Sequence, residues 1–280
     1  MTVSELRARL QAPAGPVLDI HAHPVSGFGP YRAATPAEDA GLLLASADRA
    51  GVSHLVLFSL HPSCPRKPTP DQFKEANDLC WEAAQAAPDR LLPFCYVNPE
   101  YVDESIAEIE RCIGSRQFVG LKLWVALRAA DPRVVQVVTA ATQHGVPVLQ
   151  HAWQKTDGNL EGESTPDDVA RLARAVPDAR IIMAHLNGHG MRGIERVHAC
   201  TNVYVDTAGG DPEAGMVELA CNRLGYQRVI FGSDAPIRHY GVQMGKVLGA
   251  PLSDAQKRAI LWENAVRLLP AWAKLEGALA

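Results

Sequence analysis

The sequence predicts an α/β protein built as a closed but distorted barrel of eight parallel strands, each followed by a helix. Short apolar segments alternate with amphipathic ones along the 280 residues, and this alternation is typical of a parallel sheet covered by helices. The count of eight favours a (β/α)8 TIM barrel over an open sheet. An open doubly wound sheet would carry a glycine-rich phosphate turn after an early strand, and no Gly-x-Gly-x-x-Gly motif follows any of the first strands. We therefore expect one domain over residues 1–280.

The predicted strands are short and mostly apolar, as expected of strands covered on both faces. The first strand is the most informative, because its apolar residues run directly into His21 and His23. Side chains alternate along a strand with a period of two, so we expect these two imidazoles to point the same way. The eight strands are predicted at residues 17–24, 54–60, 91–97, 118–124, 146–151, 181–185, 203–207 and 229–234.

Helices are predicted between the strands from capping signals and from apolar periodicity. Thr35 followed by Pro36 is typical of a helix start, and Gly51 and Pro88 are expected to end the helices that precede them. A long polar loop is expected at residues 153–164. The helices are predicted at residues 36–50, 71–87, 102–114, 132–144, from 165 onward, 191–199, 212–224 and 253–269.

The composition argues against several classes of function. The formal net charge of -4 is mild, which speaks against nucleic acid and an anionic membrane as partners. No apolar run approaches the roughly 20 residues of a membrane span, and residues 1–11 are polar and helix-like, unlike a signal peptide. The six cysteines show no Cys-x-x-Cys pairing, as is typical of reduced thiols. We therefore expect a cytoplasmic protein that acts on a small molecule, and a homodimer, since such dimers are the commonest oligomers.

Polar side chains cluster where the predicted strands end. In a barrel of this kind the functional site lies at the carboxyl-terminal ends of the strands, and burying unpartnered polar groups there is costly. Chance would scatter such residues, whereas here they converge on one face. They are His21 and His23 on the first strand, His61 on the second, Lys122 on the fourth, His151 on the fifth, His185 on the sixth, Asp206 on the seventh and Asp234 on the eighth.

Histidines and a carboxylate in these positions suit zinc, manganese or iron rather than calcium or magnesium. A metal with an open coordination position lowers the pKa of bound water to about 7 and so supplies hydroxide at neutral pH. Asp234 could ligate the metal and accept the proton of that water. His185 could polarise a substrate carbonyl or carry a proton.

Several motifs carry a resemblance to a known family. They are Asp19-Ile20-His21-Ala22-His23, Gly120-Leu121-Lys122-Leu123, Pro147-Val148-Leu149-Gln150-His151, Ala184-His185-Leu186-Asn187-Gly188, Val205-Asp206-Thr207, Phe231-Gly232-Ser233-Asp234-Ala235-Pro236 and Glu263-Asn264-Ala265-Val266-Arg267-Leu268-Leu269. On these motifs nearly the whole chain resembles the amidohydrolase superfamily, and within it the amidohydrolase-related group that includes aminocarboxymuconate-semialdehyde decarboxylase. The resemblance implies the barrel fold and a metal-dependent hydrolase domain.

The resemblance also implies roles for individual residues. His21, His23, His151 and Asp234 are the expected metal ligands, and His185 is the expected acid/base residue beside Asp234. We expect one zinc ion per chain, with manganese or a second metal as the alternatives.

Three residues depart from the family pattern. Trp153 replaces a small residue, Asn187 stands where glycine is common, and Ala208 stands where serine is common. Each changes the wall of the expected pocket, so the resemblance does not carry a substrate over to this chain.

Lys122 has two interpretations. In two-metal members of the superfamily, a carboxylated lysine on the fourth strand bridges the metals. We favour an ordinary lysine that binds a substrate carboxylate or a structural carbonyl. His189 and His239 lie in loops on the same face but are not among the expected substrate-binding residues. Besides Lys122, those are Arg32, His61, Trp124 and Trp153.

The sequence leaves three functions open. Hydrolysis of an ester, lactone or amide is the expected reaction, because metal-bound water is the catalytic device that the residues indicate directly. Non-oxidative decarboxylation of an aromatic or unsaturated acid on the same metal site is the alternative. A non-catalytic binding protein on a barrel scaffold is the third, and it is disfavoured because all the expected ligands are present.

Overall fold

A computed structural model describes residues 15–28, 31–187, 192–209, 214–273 and 275 of the chain. All eight strands are parallel neighbours in chain order, which confirms the predicted barrel. The strands are β1 (Leu18–Ala22), β2 (His54–Leu57), β3 (Leu91–Tyr96), β4 (Gly120–Leu123), β5 (Val148–Gln150), β6 (Ile181–Met183), β7 (Val203–Asp206) and β8 (Val229–Ile230).

The barrel is nearly closed between β1 and the chain that follows β8. The Ile20 N–H donates to the Phe231 carbonyl oxygen at 3.0 Å, and the His23 N–H donates to the Ala235 carbonyl oxygen at 2.7 Å. In the opposite direction, the Asp234 N–H donates to the His21 carbonyl oxygen at 2.8 Å. These bonds fix the ends of the first and last strands against each other, and with them the side chains that the strands carry.

Helices follow the strands on the outside of the barrel. Thr35 caps the first helix as predicted, and Gly51 ends it in a left-handed conformation. Two of the helices contain a π turn, at Glu110–Ser115 and at Ala259–Glu263. The helices are α1 (Pro36–Ala50), α2 (Pro70–Gln85), α3 (Val102–Ile109), α4 (Pro132–Gln143), α5 (Pro166–Ala175), α6 (Arg192–Val197), α7 (Met216–Leu224), α8 (Tyr240–Leu248), α9 (Asp254–Arg258) and α10 (Asn264–Leu268).

The sequence did not predict α8. Its glycines, Gly241 and Gly245, lower the helix propensity of the segment. The helix forms because Tyr240, Met244 and Val247 bury one of its faces, and tertiary packing of this kind outweighs weak propensity. The predicted segment at 1–11 lies outside the described residues, as do the first residues of the segments predicted at 191–199 and 212–224.

All eight strands end earlier than predicted, by one residue at β3, β4, β5 and β7, by two at β1 and β6, by three at β2 and by four at β8. β6 stops at Met183, because His185 adopts a left-handed backbone with φ 79°. β8 stops at Ile230, because the Ser233 N–H donates to a side chain of β1 instead of to a strand. β2 stops at Leu57, although the Phe58 N–H still donates to the Ala22 carbonyl oxygen at 3.2 Å.

The core lies inside the barrel and between the barrel and the helices. Gly120 has no side chain where the Phe94 ring packs, and a Cβ there would lie 2.3 Å from that ring. None of the helices in the described ranges is long and apolar enough to cross a membrane.

Candidate metal centre

Three residues from three strand ends converge at one point. His21, His185 and Asp234 each offer one ligand atom, and these atoms lie within 4.8 Å of one another. His23 adjoins them, since its Nε2 lies 3.3 Å from Asp234 Oδ1. His21 Nε2 lies 3.5 Å from the same oxygen. The predicted convergence of β1, β6 and β8 on one site is therefore present.

The two histidines of β1 share a face, as the strand period requires. Both rings pack against Phe58, with centroid distances of 5.2 Å from His21 and 4.5 Å from His23. Asp206, at the end of β7, lies with its Oδ2 2.8 Å from His21 Nδ1. A hydrogen bond from Nδ1 to this carboxylate leaves Nε2 of His21 as the nitrogen with a free lone pair.

Asp206 also positions the backbone around His185. Its Oδ1 accepts hydrogen bonds from the N–H of His185 at 2.7 Å and from the N–H of Ala208 at 3.1 Å. One buried carboxylate thus orients a ring from β1 and the chain after β6. The sequence placed Asp206 at a strand end but gave it no role.

Asp19 performs a similar function for Asp234. Its carboxylate accepts from the Ser233 N–H at 2.9 Å and from the Ser233 hydroxyl at 2.5 Å. Gly232, which precedes Ser233, leaves room for the His21–Asp206 pair, because a Cβ there would lie 3.1 Å from Cβ of both Asp206 and His21. Burial raises the pKa of Asp19 to about 7, partly offset by the hydrogen bonds from Ser233.

Burial sets the charge of the cluster. It lowers the pKa of His21, His23, His151 and His185 below the usual value, so the imidazoles are neutral near pH 7. Burial also opposes ionisation of Asp234, but a hydrogen bond from His23 and the neighbouring imidazoles outweigh it and hold its pKa below the usual value. The centre therefore offers neutral nitrogen donors beside an ionised carboxylate.

Lys122 lies buried in the barrel mouth. Its Nζ stands 4.5 Å from the centroid of the Phe58 ring, and its side chain is among the largest fully buried ones. Burial lowers its pKa to about 8, against the opposing pull of Asp206 and Asp234. None of the ion pairs found among the described residues involves Lys122.

His151 adjoins this cluster but has a different partner. Its ring lies 4.9 Å from the His185 ring, whereas its Nε2 lies 2.9 Å from Oε1 of Glu163. Glu163 comes from the loop after β5, which the sequence predicted to be long and polar. Burial opposes ionisation of Glu163, but hydrogen bonds from His151, Leu160 and Lys155 prevail and lower its pKa to about 2.

Sequence reasoning missed Glu163. The only signal was a carboxylate in a glycine-containing loop close to the predicted fifth-strand histidine. That signal does not separate a buried partner of His151 from a solvated loop residue.

The structure places the other predicted residues at different distances from the cluster. The Trp153 ring lies 4.7 Å from the His185 ring, so this residue borders the site. His61 is engaged elsewhere, because its Nδ1 meets the Ser63 hydroxyl at 2.8 Å and its Nε2 meets Glu75 at 3.2 Å.

The contacts seen for the remaining candidates are with other parts of the chain. Arg32 is an exposed loop residue whose Nη1 donates to the Tyr31 carbonyl oxygen at 2.7 Å. Trp124 is half-buried against the core. His239 caps α8 by accepting from the Gly241 N–H at 3.1 Å, and His189 lies outside the described residues.

The donors present fit a divalent metal. Nitrogen atoms of His21 and His185 and an oxygen of Asp234 are close enough to share one ion, and mixed imidazole and carboxylate donors suit zinc or manganese. The carboxylate on the outer nitrogen of His21 is the arrangement that commonly supports a metal-bound histidine. Bound there, such an ion would act as a Lewis acid on substrate oxygens or would activate a water molecule.

Solved structures of known enzymes share this fold. A 2,6-dihydroxybenzoate decarboxylase from Rhizobium superposes with a TM-score of 0.69 at 16% identity, over 90% of this chain and 98% of that chain. A 5-carboxyvanillate decarboxylase from Novosphingobium aromaticivorans, complexed with manganese and a nitrobenzoic acid, gives 0.72 at 16% identity, over 95% and 99%. A dihydroxybenzoic acid decarboxylase from Polaromonas, with bound manganese and the inhibitor 2-nitroresorcinol, gives 0.64 at 17% identity, over 90% and 96%.

These identities are low, so the structural similarity shows the fold alone. No curated protein matches the sequence. The amidohydrolase family model matches residues 18–271, which include every strand of the barrel and every residue of the metal cluster. The chain therefore belongs to the amidohydrolase family.

Proposed function

We propose that this protein is a metal-dependent decarboxylase of aromatic or unsaturated carboxylic acids. The observation that carries the proposal is Lys122, a buried ammonium group that packs on a ring and forms no direct ion pair among the described residues, although Asp206 and Asp234 lie near enough to interact with its charge. A substrate carboxylate would supply a direct ion pair in a site where charge-assisted hydrogen bonds are strong. Decarboxylation thus becomes the favoured reaction, and hydrolysis, which the sequence favoured, becomes the alternative.

Aromatic rings around the histidines support a flat substrate. Phe28 lies 4.9 Å from the His23 ring, and Trp153 lies 4.7 Å from the His185 ring. Phe58 contacts both histidines of β1 and lies below Lys122 Nζ. Rings in this arrangement can stack on, or meet edge-on, an aromatic or conjugated acid.

The similar solved structures support the same choice. Those reported above are decarboxylases of hydroxylated aromatic acids, and two of them hold manganese. We therefore propose manganese alongside zinc, which was the metal expected from the sequence.

The residues of the site fit the proton and charge movements of decarboxylation. The bond between the ring carbon and the carboxylate carbon breaks, carbon dioxide leaves, and the ring carbon keeps the electron pair and takes a proton. Lys122 would hold the departing carboxylate, and the aromatic side chains would exclude water. In this proposal His21, His23, His151 and Asp234 would hold the ion, and His185, whose Nδ1 lies 3.4 Å from the Ala152 carbonyl oxygen, would keep its Nε2 to hold or move a proton.

Hydrolysis is the second candidate, and Asp234 is the observation that favours it. This carboxylate stays ionised beside the cluster, and it could accept a proton from a water molecule that attacks an ester, lactone or amide. A non-catalytic barrel finds no support, because the family's ionisable residues are present and converge.

A paired substrate screen distinguishes the two reactions. Protein loaded with Mn²⁺ or Zn²⁺ is incubated with acids such as 2,6-dihydroxybenzoate and 5-carboxyvanillate, and separately with lactones and esters. We expect carbon dioxide release from an acid and no opening of a lactone. Lactone or ester turnover without carbon dioxide release would overturn the proposal in favour of hydrolysis.

Lys122→Met tests the proposed carboxylate contact. Loss of one charge-assisted hydrogen bond should lower kcat/KM by about 10–100-fold, while Mn²⁺ binding is retained. Lys67→Met is the matched control, because Lys67 is exposed and pairs with Glu100 on the surface. A Lys122→Met variant as active as the control would remove the observation on which the proposal stands.

The homodimer stays a prediction, which light scattering can check.

A further inference from the structure

We propose that Glu163 is a positioning residue of the metal centre: it accepts a hydrogen bond from Nε2–H of His151 and so leaves Nδ1 of that imidazole to bind the ion. The inference rests on the metal centre of the proposed function and is independent of which reaction the centre catalyses. Nothing in the family resemblance assigned a role to this loop carboxylate.

The partners of Glu163 determine the direction of the hydrogen bond. Its Oε2 accepts from the Leu160 N–H at 2.9 Å and from Lys155 Nζ at 3.0 Å. Its Oε1 faces Lys155 Nζ at 3.1 Å and His151 Nε2 at 2.9 Å. A carboxylate held by an ammonium group and a backbone N–H can only accept, so His151 Nε2 must carry the hydrogen. In a neutral imidazole this leaves the lone pair on Nδ1.

The loop is built to deliver Glu163 to this place. The Trp153 N–H donates to the Ser164 carbonyl oxygen at 2.9 Å, which closes the loop at its base. Asn159 Nδ2 donates to the Trp153 carbonyl oxygen at 2.6 Å. The Glu163 side chain is only 1% exposed, although it belongs to a loop whose neighbour Glu161 is 89% exposed. Burying the Glu163 carboxylate without its hydrogen-bond partners would be costly. The loop conformation that brings these partners to it is therefore specific.

The arrangement mirrors that of His21. Asp206 engages His21 at Nδ1 and leaves Nε2 free, whereas Glu163 engages His151 at Nε2 and leaves Nδ1 free. Carboxylates placed in this way fix the ring orientation of metal-binding histidines and make them better donors. Two carboxylates from different parts of the chain would thus position two imidazoles, each through the nitrogen that the metal does not use.

Direct ligation of the metal by Glu163 is the competing arrangement, and nitrogen NMR of the histidine rings separates the two. Metal-free protein labelled with ¹⁵N is compared with the Zn²⁺-loaded protein, and the His151 signals are assigned with a His151→Asn variant. We expect a protonated Nε2 and an unprotonated Nδ1 without metal. On addition of Zn²⁺, the Nδ1 signal should shift while the Nε2–H persists. A protonated Nδ1, or zinc bound through Nε2, would overturn the proposal.

Metal titration of Glu163 variants gives a second readout on the full chain. Loss of an outer carboxylate of this kind weakens metal affinity by about 10–100-fold. Glu163→Gln keeps an acceptor and should lose less affinity than Glu163→Ala, and Glu163→Asp should restore part of it. Glu161→Gln is the matched control, because that exposed residue of the same loop pairs only weakly with Lys67, at 3.7 Å; its Zn²⁺ Kd should stay within about twofold of wild type.

Glu163 variants that bind Zn²⁺ as tightly as the control would refute the role. Equal losses in Glu163→Gln and Glu163→Ala, together with loss of the Nε2–H signal on loading, would instead assign Glu163 as a direct ligand. Because these readouts do not need a substrate, they stand or fall separately from the decarboxylase proposal.

Discussion

The pairs His21–Asp206 and His151–Glu163 bring the same two groups to nearly the same distance, 2.8 and 2.9 Å, by different means. The first pair lies on β1 and β7, whose positions the ladder of the barrel fixes. The second joins a residue at the end of β5 to a loop held by its own hydrogen bonds. Altering the strand-borne pair should therefore destabilise the barrel, whereas altering the loop-borne pair should have little effect on the fold.

Removing the charge of Asp234 should have the largest effect. In Asp234→Asn the cluster loses its ionised carboxylate, while the strand geometry around His21 is kept. Several kcal/mol of charge stabilisation correspond to a loss of about 10³-fold or more in kcat. Metal content and steady-state rates measure the change. Nearly full activity with bound metal would show that the strand ends are not the reaction site.

Asp206→Asn should combine a functional with a structural loss. Three donors, His21 Nδ1 and the N–H groups of His185 and Ala208, would lose their anionic acceptor. We expect metal affinity to fall by about 10–100-fold and the free energy of unfolding to fall by ~1–3 kcal/mol. Calorimetry and urea denaturation measure the two quantities. A loss of affinity without a loss of stability would contradict the contrast between the two pairs.

The histidines of both pairs should make the metal-free protein sensitive to acid. Their pKa values are lowered by burial in the folded state, so below about pH 6.5 the unfolded chain binds more protons than the folded one. Stability is then lost as the pH falls, by roughly 1 kcal/mol for each such histidine between pH 6.5 and 5.5. Asp19 and Asp206 act in the opposite direction, because burial raises the pKa of both carboxyl groups, that of Asp19 to about 7. Urea denaturation with a chelator should show a net decrease; unchanged stability would mean that the imidazoles are not held neutral.

The smallest effect on metal binding should come from the loop that carries Glu163. In Gly162→Ala the new Cβ would lie 2.2 Å from the Val125 carbonyl oxygen, at a φ of 76°. The loop must shift, and we expect Zn²⁺ affinity to weaken about 10-fold while the free energy of unfolding falls by more than about 1 kcal/mol, because the clash is with the backbone. Both quantities are measured as for Asp206→Asn.

Gly158→Ala is the matched control for this loop. It shares the left-handed backbone, with φ 99°, but its Cβ would meet nothing within 4 Å. Its Zn²⁺ affinity should therefore stay near wild type. Equal losses of affinity in the two glycine variants would mean that loop strain, and not the placement of Glu163, controls the metal.

The strand-borne half of the site could be predicted because strands obey a local rule. The period of two puts His21 and His23 on one face, and the parallel order of eight strands brings their ends together. His185 and Asp234 were found for the same reason, although both adopt left-handed backbones, with φ 79° and 60°, that end their strands early. Sequence patterns indicate which residues end a strand more reliably than how the chain turns there.

The loop-borne half could not be predicted, because its position depends on contacts between residues that share no periodicity. Lys155 and Glu163 meet only when the loop folds back on Trp153. Similarly, the sequence did not predict α8, because its glycines lower the helix propensity and the helix is stabilised by tertiary packing. Asp206 was located but its role was not, since a hydrogen bond to His21 joins residues that are 185 positions apart.

Anomalous diffraction from crystals of the Mn²⁺-loaded protein is the sharpest test of the metal centre, because it locates the ion and both carboxylates at once. We expect an anomalous peak within bonding distance of His21 Nε2, His151 Nδ1 and an oxygen of Asp234, with Asp206 on His21 Nδ1 and Glu163 on His151 Nε2. A peak away from the ends of β1 and β8, or one bound by Glu163 itself, would contradict this expectation.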